Sequence, residues 1–377
     1  MHMKTIRYAV IGWGFMGRTH AQAARGVPLY YKDLDFRPEL SAVCSRRQSS
    51  VDDALSAFDF KKSTLDWHDI INDPEIDAVS ICTPNAMHEE IAIEALKAGK
   101  HVYVDKPLAD NYESAKRIAE AAAQSKGKSM IVFNDRFFPS TLRAKQIAEE
   151  GKLGEITGFS CRYLHSGSLD ANKPAGWKQL AEGGVLNDLA VHALDLITWM
   201  IGWPKAVFCA TNRLYDRRPL PGGGIAEGAQ IAEDHAVMTL RMPNGSIGTV
   251  EASKIATGSN DEMFLEITGT KGAIRWNLME PDWLWFYDNT LPEGMYGGMK
   301  GFVRIECVAR YPAPGGSFLP SKNTIGWDRG HMHCMYTFLE AIAHDKEPWP
   351  SLAHGAELQR LIDLAKQSEA EGRFLLF

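Results

Sequence analysis

The first third of the chain alternates short apolar runs with stretches of helical periodicity. Residues 77–82 form a nearly continuous apolar run, which is typical of a strand covered on both faces. Strands separated by helices of this length favour right-handed crossovers, so the pattern predicts a parallel, doubly wound α/β sheet. The predicted strands lie at residues 5–11, 40–44, 77–82, 101–104 and 129–133, and the predicted helices at 18–25, 52–58, 67–71, 86–98 and 112–125.

The pattern changes after about residue 135, because strand-like segments then follow one another in series. Turn sequences such as Pro-Asn-Gly at residues 243–245 separate several of them, which is typical of hairpins. This part predicts an α+β domain with a large, mostly antiparallel open sheet and helices on one face. Its predicted strands lie at 156–163, 206–212, 235–241, 246–254, 262–268 and 273–276, and its helices at 185–200, 332–343 and 355–370.

Length and charge narrow the possible functions. A chain of 377 residues is long enough for two compact domains, which we place at residues 1–135 and 136–377. The net charge of -6 and the scattered lysines and arginines argue against a nucleic-acid or anionic-membrane partner. No apolar run reaches the roughly 18 residues of a membrane helix, and the start of the chain does not resemble a signal peptide.

The six cysteines lie far apart and show no Cys-x-x-Cys spacing. This distribution is typical of reduced cysteines and not of a disulfide framework or a zinc site, so we expect a cytoplasmic protein. His331 and His333 are alternate residues near a predicted helix start with no evident third ligand, so we expect no metal site.

A glycine motif, Gly-Trp-Gly-Phe-Met-Gly, lies between the first predicted strand and the first helix. In that context Gly12 permits a tight turn, Gly14 lets the backbone approach a pyrophosphate, and Gly17 lets helix and strand pack closely. The pyrophosphate would rest on the helix N-terminus, where free N–H groups favour negative charge. The motif predicts a Rossmann domain whose dinucleotide is bound by Gly12, Gly14, Phe15, Met16 and Gly17.

The end of the second strand bears on the choice between NAD and NADP. A carboxylate there would bind the adenosine ribose, but this chain has Ser45, Arg46 and Arg47, with no carboxylate before Asp52. A hydroxyl followed by two guanidinium groups suits a 2′-phosphate, so NADP is favoured over NAD. In the alternative, the arginines are simply solvated and NAD binds without a carboxylate.

Three further motifs follow in order: Thr-Pro-Asn-Ala-Met-His at residues 83–88, Asp-Lys-Pro at 105–107, and a segment at 182–195 that contains Asn-Asp-Leu-Ala-Val-His. Together with the glycine motif, this set resembles the glucose–fructose oxidoreductase / inositol dehydrogenase / rhizopine catabolism (Gfo/Idh/MocA) family over nearly the whole chain. Within the family, the Trp177-Lys178 pair resembles sugar dehydrogenases that act on levoglucosan and inositol.

The resemblance implies an NAD(P)-dependent oxidoreductase that acts on a CHOH or C=O carbon of a sugar, polyol or related cyclic compound. Residues 1–135 would bind the cofactor, and residues 136–377 would bind substrate and form a homodimer or homotetramer. Lys106 is implied as the catalytic-site lysine, and Asp105 stands where the family has glutamate. Asp188 and His192 match the family's pair on the second-domain helix. The positions implied near the nicotinamide or substrate are Thr83, Pro84, Asn85, His88, Asp105, Asn134 and Arg136.

The residue types support a division of labour between these groups. Asp188 and His192 are four residues apart, so a regular helix would place them on one face. Histidine suits acid/base work near neutral pH, and Asp188 would orient it or a substrate hydroxyl. Lys106 would stabilise negative charge on the reacting oxygen, or would itself transfer the proton. Trp177, Tyr163 and His165 are further candidates for substrate contact, against the alternative of ordinary packing positions.

Two other functions remain open from the sequence. A cofactor-sensing regulator would keep the fold without catalysis, although it would have no need of Lys106, Asp188 and His192 together. A redox-neutral hydrolase or lyase would retain NAD and use a transient oxidation.

Overall fold

The structure is a computed structural model that describes residues 3–181, 183–312, 315, 320 and 322–377. By its internal packing the chain forms two compact units. The first comprises Met1–Phe137 and Ala309–Gln359, and the second comprises Phe138–Val308 and Arg360–Phe377. The sequence predicts one domain over residues 136–377, and by packing Ala309–Gln359 belong to the first unit.

The first unit contains a parallel sheet flanked by helices. Within the described residues its strands have the order β3-β2-β1-β4-β5-β6, and every neighbouring pair is parallel. Its elements in the first part of the chain are β1 (Lys4–Ile11), α1 (Phe15–Tyr30), β2 (Phe36–Cys44), α2 (Gln48–Ala57), β3 (Lys62–Thr64), α3 (Trp67–Ile71), β4 (Ala78–Ile81), α4 (His88–Lys97), β5 (His101–Val104), α5 (Tyr112–Gln124) and β6 (Ser129–Ile131).

Burial explains why these strands form the centre of the unit. All four residues of β4 are buried, as expected for a strand covered on both faces. Helix α1 continues past Pro28 to Tyr30, beyond the predicted end at Arg25, because Val27 and Tyr31 are held in the hydrophobic core. The doubly wound Rossmann arrangement predicted for the first domain is confirmed.

The second unit is built on a mixed sheet of nine strands within the described residues, in the order β16-β15-β14-β13-β7-β12-β11-β8-β17. Neighbouring strands of this sheet are antiparallel, except that β7 and β12 are parallel. The elements are α6 (Pro139–Glu149), β7 (Ile156–Leu164), α7 (Val191–Ile201), β8 (Ala206–Asn212), β9 (Arg217–Pro219), β10 (Ile225–Glu227), β11 (His235–Arg241), β12 (Ile247–Ser253), β13 (Glu262–Gly269), β14 (Gly272–Asn277), β15 (Trp283–Asp288), β16 (Phe302–Glu306) and β17 (Leu375–Leu376).

Burial alternates along the central strands of this sheet, so one face is covered and the other is open. Tyr163 of β7 packs on His192 of α7, and Trp276 of β14 donates its indole N–H to Ser140 of α6 at 2.7 Å. Both helices therefore cover the buried face. The predicted α+β domain with a large, mostly antiparallel open sheet is confirmed.

Two long helices complete the chain, namely α8 (Trp327–His344) in the first unit and α9 (Leu352–Glu371), which begins in the first unit and ends in the second. Helix α8 packs closely on α1, because a Cβ atom at Gly26 would lie 2.3 Å from the Met332 Cε atom. A side chain at Gly26 would therefore displace the flexible end of Met332, so a small residue suits this contact between the two helices.

The helix predicted at residues 185–200 is interrupted. Leu186–Ala190 form a π-helical turn, in which the Val191 N–H donates to the Leu186 carbonyl, and regular α-helix follows as α7. A π-turn holds an extra residue and occurs frequently at functional sites. Asp188 lies in this turn and His192 lies after it, so the regular-helix argument for their shared face does not apply.

Candidate functional site

The glycine motif forms the connection from β1 to α1. Gly12 has a φ of 100°, and a Cβ atom there would lie 2.6 Å from the Cys82 carbonyl. A Cβ atom at Gly17 would lie 2.1 Å from the Gly12 oxygen. Gly14 caps the helix and has open space where a Cβ atom would be. The turn and the helix contact thus require glycine, and the backbone at Gly14 stays open to a ligand.

The side chains in and next to this loop differ in exposure and in their contacts. Phe15 is exposed and stacks on Trp327, with ring centroids 5.6 Å apart, whereas Met16 is half-buried. Trp13 donates its indole N–H to Asp53 at 2.7 Å, and Arg18 pairs with the same carboxylate at 2.5 Å. The Asp53 carboxylate therefore connects α2 to Trp13 of the glycine loop and to Arg18 of α1.

Ser45, Arg46 and Arg47 lie directly after β2. Ser45 is half-buried and donates its backbone N–H to the Thr64 carbonyl at 3.3 Å, while Arg46 and Arg47 are exposed. The nearest following carboxylate, Asp52, accepts from Gln48 at 2.8 Å on the surface of α2. The end of β2 thus presents two cations.

The Thr-Pro-Asn turn follows β4 and is fixed by His88. Thr83 and Pro84 are half-buried, and Asn85 and His88 are buried. The His88 Nε2 atom lies 2.9 Å from the Thr83 carbonyl oxygen, and Nδ1 lies 3.1 Å from that of Pro107. Burial lowers the pKa of His88. His88 therefore ties the turn after β4 to the loop after β5.

Asp105, Lys106 and Pro107 form that second loop. The Asp105 carboxylate accepts the Lys106 backbone N–H at 3.0 Å, and the Lys106–Pro107 peptide is cis. Because β1, β4 and β5 are parallel, their carboxyl ends lie at one edge of the sheet, where open α/β sheets bind ligands. The first unit thus brings the glycine loop, the Thr-Pro-Asn turn and Lys106 to the same edge.

Asn134 and Arg136 lie in a short 3-10 turn after β6, and both are buried. Asn134 donates its amide to the Asp135 carboxylate at 3.2 Å. Arg136 donates to the His354 Nε2 atom at 2.6 Å, which connects it to the start of α9. The contact with His354 was not predicted, because 218 residues separate the two side chains.

Two buried polar atoms test whether the first unit fits a dinucleotide. Thr83 Oγ1 and Asn85 Nδ2 have no hydrogen-bond partner within the described residues. Unsatisfied buried polar groups are costly, so such atoms are expected to have a partner, such as a bound ligand or water. Together with the open backbone at Gly14, they fit a ligand that carries both phosphate and hydrogen-bonding groups.

The second unit holds the other predicted residues. Tyr163 is buried in β7, and its ring packs edge-on against His192 at 5.6 Å between centroids. His165 follows β7, accepts the Gly167 N–H at 3.0 Å, and has its pKa lowered by burial and then by Lys254. Trp177 is half-buried in a short 3-10 turn.

Asp188 is buried, and two lysines contact its carboxylate. Lys178 Nζ lies 2.8 Å from Oδ1, and Lys254 Nζ lies 3.3 Å from Oδ2. The sequence alone assigns no role to either lysine. Lys178 was used only as part of the Trp177-Lys178 pair that resembles sugar dehydrogenases, and Lys254 belongs to no motif. Glu182, the first residue of the motif at 182–195, lies outside the described residues.

None of the helices in the described residues has both the length and the apolar character of a membrane span. The six cysteines are free, and five of them are buried.

Comparisons with known proteins agree with this geometry. Residues 6–133 match the Gfo/Idh/MocA oxidoreductase family, NAD-binding Rossmann fold, and residues 141–275 match the GFO/IDH/MocA C-terminal domain. Levoglucosan dehydrogenase of Pseudarthrobacter phenanthrenivorans is 31% identical over 98% of this chain and 97% of its own length. Myo-inositol 2-dehydrogenase of Thermotoga maritima is 27% identical over 71% of this chain and 74% of its own length.

A solved structure of levoglucosan dehydrogenase in complex with NADH and levoglucosan superposes with a TM-score of 0.92. It is 30% identical in sequence, and the alignment covers 99% of both chains. The predicted family and enzyme class are thereby confirmed. The chain belongs to the Gfo/Idh/MocA family of oxidoreductases with an NAD-binding Rossmann fold.

Proposed function

We propose that this protein transfers a hydride between a nicotinamide cofactor and a CHOH or C=O carbon of a sugar, polyol or related cyclic compound. The observation that carries the proposal is the retention, in one chain, of Lys106 at the ligand-binding edge of the first sheet and of Asp188 and His192 in the second unit. The named activities of the relatives support the same substrate class.

The residues have separate roles in this reaction. When bound, the nicotinamide supplies the hydride acceptor or donor. His192 takes the hydroxyl proton in the oxidation direction, and Asp188 accepts a hydrogen bond that orients the substrate hydroxyl. Lys106 donates to the reacting oxygen and stabilises the negative charge that develops there, and it is the alternative carrier of the proton. Arg136, Tyr163, His165 and Trp177 complete the proposed substrate contacts.

The proposed cofactor site follows the geometry of the first unit. Gly12, Gly14, Phe15, Met16 and Gly17 would hold the pyrophosphate at the N-terminus of α1. The nicotinamide half would lie against Thr83, Pro84, Asn85, His88, Asp105, Lys106 and Asn134.

A substrate panel tests the proposal directly. Purified protein is titrated with NADP and with NAD by tryptophan fluorescence, and sugars and polyols are then screened for reduction of the better cofactor. Turnover is the expected result. Binding without turnover on any compound, in either direction, would favour the sensor or the redox-neutral hydrolase or lyase. Failure to bind either nucleotide would contradict the proposal.

We further propose NADP as the preferred cofactor, because the end of β2 presents Arg46 and Arg47. Replacing both with alanine should weaken NADP binding by about 10- to 100-fold, since a hydrogen bond to a charged group contributes about 1.5–3 kcal/mol. NAD binding should change little. Arg37→Ala is the matched control, because Arg37 is an exposed arginine near the other end of β2. An equal loss of affinity for NADP and for NAD in the titration would mean that the arginines do not bind the 2′-phosphate.

The open face of the second sheet supports the proposed homodimer or homotetramer. Phe264, Trp283, Trp285 and Phe302 are half-buried there and line a pocket of about 310 Å³. Half-buried aromatic side chains of this kind are enriched at protein interfaces. The free cysteines support the proposed cytoplasmic location.

A further inference from the structure

Lys254 is a buried ammonium group that the proposed reaction does not use directly. It directly follows β12, and its side chain is 2% exposed. The Nζ atom donates to the carbonyl oxygens of Lys178 at 3.0 Å and Gly184 at 3.2 Å. Burial lowers the pKa of the Lys254 ammonium. A buried cation is tolerated only where such partners satisfy it, so its position is fixed.

The two oxygens of Asp188 have unlike partners. Oδ2 faces Lys254, whereas Oδ1 faces Lys178, whose side chain is 46% exposed. Lys178 Nζ also lies 5.6 Å from the ring of Trp177, a proposed substrate contact. Oδ1 is thus paired with an exposed cation that lies beside a proposed substrate contact, whereas Oδ2 is paired with a buried cation.

Lys254 also holds the backbone that precedes Asp188. Its bond to the Gly184 carbonyl lies two residues before the π-turn, at a glycine with a φ of 84°. The Glu233 carboxylate accepts the Leu186 N–H at 3.0 Å and fixes the first residue of that turn. Lys254 thus contacts both the entry to the π-turn and the carboxylate that projects from it.

We propose that Lys254 is a positioning residue that acts through Asp188, and that Lys178 is the exchangeable partner that a substrate hydroxyl replaces at Oδ1. The inference rests on the proposed dehydrogenase function. Lys254 holds the carboxylate in the orientation that accepts the hydroxyl, and Lys178 pairs with Oδ1 until substrate arrives.

Steady-state kinetics of Lys254→Met test the positioning role. We expect kcat to fall about 10²-fold, because a small misplacement of a positioning group costs that much, while KM stays within about threefold. Lys254→Arg keeps the charge and should recover part of kcat. Lys100→Met is the matched control, since Lys100 is also buried and donates to two carbonyls, those of Asp73 at 2.6 Å and Ile76 at 2.7 Å. An equal loss of kcat in Lys100→Met would overturn the inference.

Lys178→Met tests the exchange. Removing the competing ammonium should lower KM severalfold and leave kcat within about threefold, because the substrate hydroxyl then no longer competes with Lys178 for Oδ1. A rise in KM would overturn the exchange, since Lys178 would then bind substrate itself.

A double-mutant cycle separates an effect through Asp188 from a merely structural one. Adding Lys254→Met to Asp188→Asn should lower kcat no further than Asp188→Asn alone, and multiplied losses would overturn the inference. The midpoints of urea unfolding of the same four proteins should likewise be non-additive. If the wild-type protein turns over nothing on the panel, the proposed function fails. The double-mutant cycle in the midpoint of urea unfolding is then the only test of the contact between Lys254 and Asp188. Additive shifts in that midpoint would overturn the positioning role.

Discussion

Replacing Lys106 with methionine should lower kcat by about 10³-fold with the best substrate of the panel. The lysine follows β5 at the carboxyl edge of the parallel sheet, where its ammonium can donate to the oxygen of the reacting carbon. Methionine keeps the length of the side chain and removes the charge. Loss of one donor to a developing oxyanion costs about 10²–10³ in kcat, and a lysine that also carries the proton would add to that loss.

Initial rates of cofactor reduction, together with nucleotide binding followed by tryptophan fluorescence, give the measurement. Nucleotide binding should weaken by no more than about tenfold, because the glycine loop and the Thr-Pro-Asn turn are unchanged and only one of the proposed nicotinamide contacts is altered. Lys100→Met again serves as the control for removing a buried lysine from the first unit. A Lys106→Met protein with kcat within about tenfold of the wild-type value would show that another group stabilises the reacting oxygen.

The first sheet was predictable because its determinants are local. Five of its six strands are short apolar runs, its helices have clear periodicity, and the glycine motif is recognisable by its spacing between the first strand and the first helix. The short, mostly exposed strand β3 was not predicted, because it forms no apolar run. In the second unit, the strands β9, β10, β15, β16 and β17 were not predicted. The sequence Trp-Leu-Trp-Phe-Tyr-Asp at 283–288 is apolar on both faces of the strand, so it shows no alternation.

The part of the proposed site that lies in the second unit depends on contacts between residues that are distant in sequence. Asp188 and His192 were identified by their motif, yet the π-turn that holds Asp188 is fixed by Glu233 and Lys254. These lie 47 and 70 residues beyond the residues that they contact, Leu186 and Gly184. Lys254 belongs to no motif, and a lysine that follows a strand is ordinarily exposed. Its role follows only from burial and from the atoms around its Nζ.

His192→Ala should lower kcat by about 10²–10⁴-fold, the usual contribution of a positioned acid/base group. The ring is buried at the start of α7 and packs against Tyr163, so the substitution leaves a cavity of imidazole size. Added imidazole should enter that cavity and restore part of the rate, because it supplies the missing proton acceptor. His235→Ala is the control, since His235 lies in the same unit on β11 and pairs with Glu251 at 3.1 Å.

The imidazole response distinguishes the two candidate proton carriers. A rate that rises with imidazole in His192→Ala, and not in His235→Ala or Lys106→Met, would assign the proton to His192 and leave Lys106 as the donor to the oxygen. A His192→Ala protein that keeps kcat within about tenfold of the wild-type value and ignores imidazole would contradict that assignment. The proton would then pass to Lys106, and the ring of His192 would serve to pack Tyr163 beneath the sheet, which is the more common role of a buried histidine.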